Sequence, residues 1–106
     1  MKWVVIGAHL QRDDVEPIAN VMPVADLFLS ALPIDDDRPL GDRDLLMEVA
    51  DVRAKLLDRA TFVAIRYGFA VRDAAEAASK AGGFTARWRA LLSAHRDEVE
   101  MTLKIA

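Results

Sequence analysis

His9, His95, Arg66 and Tyr67 are the side chains of this chain best suited to chemistry. Histidine titrates near neutral pH, so general acid–base work would fall to the two imidazoles. Arg66 could hold an anion and Tyr67 could donate a hydrogen bond. Their spacing forms no triad, and the chain contains no HExxH zinc motif, no glycine-rich phosphate loop and no GxSxG elbow. With no cysteine, thiolate nucleophiles, thiolate metal sites and disulfides are excluded. The triplet Asp35, Asp36, Asp37 invites a calcium or magnesium reading. Hard cations need oxygen ligands converging at loop-defined spacing. Three consecutive carboxylates do not converge, so the triplet reads as a solvated loop. His9 closes an apolar run and His95 falls on the apolar side of a helical pattern, so both read as packed or rim residues. We expect no catalytic residues, no metal and no cofactor.

Composition narrows the class of protein. At 106 residues the expectation is a single domain spanning 1–106. The hydrophobic fraction is 53% and the charged fraction 29%, too apolar a balance for a disordered chain. The 14 basic and 17 acidic residues give a net charge of −3, which argues against a nucleic-acid binder relying on bulk phosphate attraction. No apolar run approaches the roughly 20 residues that a membrane helix needs. The expectation is a soluble, cytoplasmic protein without a targeting segment.

Elements that could position these side chains follow from periodicity. Lys2 to Ala8 is rich in β-branched and aromatic residues and predicts a buried central strand. The piece IANVM between Pro17 and Pro23 predicts an edge strand. Val24 to Leu32 alternates and predicts a third strand, with a helix as the alternative for so short a run. Pro33 to Gly41 is a loop. Asp42 to Ala60 carries Leu45, Val49, Val52 and Leu56 at helical spacing, with Leu46, Ala50 and Leu57 widening the stripe. Asp42 or Asp44 would cap it, and Asp51 with Lys55 would pair four residues apart.

Thr61 to Val71, TFVAIRYGFAV, predicts a strand with Val63, Ile65, Tyr67 and Phe69 facing a core and Phe62, Ala64 and Arg66 on the other face. Gly68 would permit a bulge or bend. Asp73 and Glu76 have capping-box spacing ahead of the helix Ala74 to Ala81, and Gly82 and Gly83 supply a stop with φ > 0 available. Phe84 to Asp97 predicts another helix, anchored by Trp88, whose indole N–H should find a partner. Glu98 to Ala106, EVEMTLKIA, alternates cleanly and predicts a half-exposed strand. Together these elements predict an α+β fold: a two-layer sandwich whose mainly antiparallel sheet of four to five strands, related to the ferredoxin-like arrangement, carries two to three helices on one face.

The second half of the chain resembles the gas vesicle protein GvpL/GvpF family. Its members have a strand of the type T-V-L-P-V-R-F-G-T-V-F, then a helical segment, then a closing strand of the type V-E-W-G-V-K-V. Thr61, Arg66 and Gly68 match the first pattern, with Tyr67 in the phenylalanine position; Val99, Glu100 and Lys104 match the second. RWRALLSAH resembles the leucine-rich helix between them. Ala64, Phe69 and Met101 depart from the pattern, and family members are about twice this length, so the likeness is to an amino-terminal domain.

The resemblance implies a chaperone-like accessory role in gas vesicle assembly, with no membrane and no nucleic acid as partner. The partner would be the hydrophobic shell protein or another gas vesicle accessory protein, met through an exposed sheet face carrying Phe62, Ala64, Arg66, Glu100, Thr102 and Lys104, with Tyr67 counted among the partner-binding residues. Gly68 and Trp88 would be structural. Arg66 and Glu100 pairing across neighbouring strands is the plainer account of that face. Two other readings remain open: a small α+β ligand-binding protein or enzyme, and a homo-oligomeric interaction module unrelated to gas vesicles.

Overall fold

The computed structural model describes residues 1–13, 15–59 and 62–94, together with the backbone of 102–105. The strand expected at the start of the chain is β1, Lys2–His9, and it is the centre of the sheet. β2, Asn20–Val24, and β3, Leu27–Ile34, form a hairpin with Val24 opposite Leu27, and β3 pairs antiparallel along the whole of β1. The predicted Val24–Leu32 strand therefore straddled a turn. Its two linking residues are Ala25, at φ 53°, and Asp26. Neither the dipeptide nor the apolar alternation announces a break, because hairpin turns of this length usually declare themselves through glycine or asparagine.

After α1, Arg43–Arg59, the chain enters the stretch from Phe62 to Val71. It is one strand position broken in two: β4, Phe62–Ile65, pairs with Gly7 and Ala8, and β5, Ala70–Val71, pairs with Trp3 and Val4 on the same side of β1. Between them Gly68 adopts φ 112° with open space around its α-carbon, so the bend is set by backbone conformation. Gly68→Ala is expected to cost about 1–3 kcal/mol through that conformation, read as a lower urea midpoint at unchanged slope.

α2, Ala74–Ala81, starts where the sequence indicated, with Asp73 accepting from the Glu76 N–H at 2.8 Å. Its end differs from expectation: Gly82 is right-handed, at φ −53°, and the chain turns through Gly82–Phe84 straight into α3, Thr85–Ala94. β6, Thr102–Ile105, lies parallel to β4 at the end of the order β2-β3-β1-β4-β6. The rest of the predicted Phe84–Asp97 helix and Glu98–Ala106 strand, His95 and Glu100 among it, lies outside the described residues.

The α+β class and the mainly antiparallel sheet are as the sequence predicts. The placement of the helices differs, because both faces of the sheet are covered. Val5, Ala8, Val63, Ile65 and Val71 pack with Ala77, Ala81, Trp88 and Leu92 of α2 and α3. Val4, Ile6, Phe62 and Ala64 pack with Leu45, Val49 and Leu56 of α1. A bulge makes the switch in β1: Val5 faces Ala31, Gly7 faces Ser30, and Ile6 is the extra residue. Beyond it the alternation of faces reverses, so Ala8 joins the α2/α3 side although Val4 and Ile6 lie on the α1 side.

Candidate functional site

The first candidate is the neighbourhood of His9. It is 1% exposed, stacked on Phe62 with ring centroids 5.2 Å apart, and its Nε2 lies 2.8 Å from Ser30 Oγ. Ser30 is fully buried and donates to the Gly7 carbonyl at 3.3 Å. With that proton committed, the consistent arrangement is His9 Nε2–H donating to Ser30 Oγ. It leaves Nδ1 as a buried lone pair without a partner among the described residues. Burial pushes the His9 pKa down to about 3, so the imidazole is neutral. A serine–histidine pair at this distance has the outline of a nucleophile and base, but a substrate cannot reach either atom. The pair is core polarity, with the Nε2 and Oγ protons both committed to local acceptors. Sequence reading placed His9 correctly as packed and missed Ser30, because the bulge at Ile6 decides which β3 residue meets it.

The second candidate is the segment that carried the family resemblance. The predicted exposed face does not exist in the form expected. Phe62 is 0% exposed and lies over Gly7, under α1. It is a core residue, and no partner can meet it. Tyr67 is also displaced from its predicted role: the chain leaves β4 after Ile65, and Tyr67 turns towards the α1 side instead of joining Val63 and Ile65. Its hydroxyl donates to the Leu40 carbonyl at 2.5 Å, which ties the β4–β5 bend to the loop before α1. Burial raises the Tyr67 pKa, against the opposing pull of Arg38, so the phenol stays protonated and able to donate.

That loop is itself braced. Arg38 donates to Asp42 at 2.9 Å and meets Glu48 at 2.7 Å, while Asp42 caps α1 by accepting from the Asp44 N–H at 2.9 Å. The Arg38 guanidinium, then the Asp44 amide, hold the Asp42 carboxyl below its ordinary value. Arg53 of α1 reaches the Ile65 carbonyl at 3.4 Å. The bend therefore has a support on each side, from Tyr67 and from Arg53.

What remains outward is Arg66, exposed in the first residue of the bend. Next to β4 runs β6, in the register Phe62 to Thr102, Ala64 to Lys104 and Ile65 to Ile105. The two segments set beside the family pattern in the sequence thus become adjacent strands. Lys104 stands level with Ala64, two positions before Arg66, and among the described residues nothing pairs with the outer edge of β6. Glu100 lies outside the described residues, so the Arg66–Glu100 pair stays an expectation.

Trp88 is 3% exposed, packs on the α2/α3 side of the sheet and stacks on Phe84 at 5.9 Å. Its indole N–H, however, finds no partner among the described residues, contrary to expectation.

Among the described residues the hollows suggest no chemistry. A polar one collects Lys2 and Arg72 beside Asp36 and Glu76, with Asp36 also 3.0 Å from the terminal amine, so its charges alternate in sign and select no one ligand. Among the described residues no three of His, Asp and Glu converge as a metal site, and no helix is long and apolar enough to cross a membrane. Comparison of the chain with protein families, with curated proteins and with solved structures gives no match.

Proposed function

We propose that the protein is an accessory, chaperone-like interaction protein of gas vesicle assembly that binds the hydrophobic shell protein along the β6 edge of its sheet. The observation that carries this reading is the adjacency of β4 and β6, which unites the two separated segments that resemble the GvpL/GvpF pattern. Both sheet faces are covered, so the contact moves from a face to an edge. An edge strand offers a row of backbone N–H and C=O groups that an extended apolar segment can continue. The Lys104 position lies on β6 itself and Arg66 follows the end of β4, the strand beside it; a cation near an edge opposes uncontrolled strand addition while leaving a matched partner room to dock.

The test is co-expression with a gas vesicle shell protein followed by affinity capture. The wild-type chain is expected to retain the shell protein, and Arg66→Glu to weaken binding by about tenfold or more. Failure of the wild-type chain to retain it would end the gas vesicle reading. Full binding by Arg66→Glu would keep that reading and remove Arg66 from the contact.

A further inference from the structure

The side of α1 turned away from the sheet is a second surface, and we infer that it docks a second copy of this chain, antiparallel, across a two-fold axis. At 3.6 residues per turn, Arg43, Met47, Ala50, Ala54 and Asp58 fall within an arc of about 80°, opposite the buried seam of Leu45, Val49 and Leu56. All five are exposed; Met47 is 64% open to solvent, and Leu46 beside it is 42% open. The sequence pattern assigned Leu46 and Ala50 to the core stripe, yet the sheet covers neither. The outer face is therefore apolar along its middle and charged at its two ends.

Those end charges point to the occupant. Arg43 stands in the first turn of α1 and Asp58 in the last, each with the sign that the helix dipole disfavours at that end. Among the described residues neither has an ion-pair partner. A two-fold axis near Ala50 and Asp51 sets Arg43 of one copy against Asp58 of the other, twice. The same operation sets the long Met47 against the small Ala54. Self-complementarity of this kind is what an isologous interface requires. The two copies of Asp51 approach near the axis, and Lys55, 3.4 Å from Asp51 in each chain, offsets their repulsion.

Sedimentation analysis over a concentration series tests the inference on the full chain. The wild type is expected to form a dimer that weakens with added salt. Arg43→Asp and Asp58→Arg should each weaken it by about tenfold or more, and the double variant should restore it. Each swap puts at its helix end the charge that the dipole favours, so loss of the dimer cannot be put down to a weakened helix. Circular dichroism of each variant provides the check. A wild type that stays monomeric throughout, or a dimer indifferent to the single swaps, would overturn the proposal. Both outcomes are independent of shell-protein capture.

Discussion

Phe62→Ala is expected to cost about 3–5 kcal/mol, a large part of the roughly 5–15 kcal/mol that holds a domain of this kind together. The ring is completely buried, belongs to the α1-side core and stacks on His9. Opposite it the central strand has a glycine, and a β-carbon at Gly7 would stand 2.5 Å from Phe62 Cδ2. The ring thus occupies the space that the missing side chain leaves. Truncating it opens a cavity between the central strand and α1, where backbone pairing on both sides of β1 limits collapse. A thermal melt should show a fall on the order of 15–30 °C. A Phe62 on an open sheet face, the position its alternation with Arg66 suggested, would give a change within about 0.5 kcal/mol. The measurement therefore separates a core Phe62 from a partner-binding one.

That contrast shows where the sequence was informative. Helical spacing marked the α1 seam, and Leu45, Val49 and Leu56 are its buried residues. Local chemistry marked the start of α2, because a cap depends only on Asp73 and an amide three residues on. Gly68 announced a bend by being glycine. What the pattern could not carry was the second covered face. FVAI is apolar at every position, which is the mark of a strand buried on both sides, but Arg66 in the next place made the run look alternating. Arg66 is exposed because the strand has already ended. The exposed face inferred from it fails for the same reason, because Phe62 is core, whereas Arg66 and the β6 edge are placed by chain direction and pairing. Long-range contacts such as Tyr67 to Leu40 leave no trace in local spacing. The Ser30 partner of His9 needed the bulge at Ile6, an irregularity of a single residue.

Acid should destabilise the protein well before its carboxylates titrate, and His9 should be the cause. In the unfolded chain its pKa is near the ordinary 6.5; burial in the folded protein lowers it to about 3. The unfolded state therefore binds a proton that the folded state refuses, and stability falls as pH drops below about 6.5, by up to roughly 1.4 kcal/mol per pH unit. The loss is complete near pH 3, when the folded protein also takes up the proton, and sums to several kcal/mol. Because the side chain is 1% exposed, solvent screening does little to reduce it. Asp36 and Asp42 also lose stabilising interactions in acid, but their ordinary value is 3.8, so they act at the lower end of the range. The window from about pH 6.5 to 4.5 thus belongs to histidine. Urea midpoints measured across it should decline for the wild type and stay level for His9→Phe, which keeps an aromatic ring against Phe62 while Ser30 keeps the Gly7 carbonyl. Placing His95→Gln in both backgrounds removes the other histidine from the comparison. A wild type whose stability is flat through this window would mean that His9 accepts a proton in the folded state, and so is not sealed beneath α1.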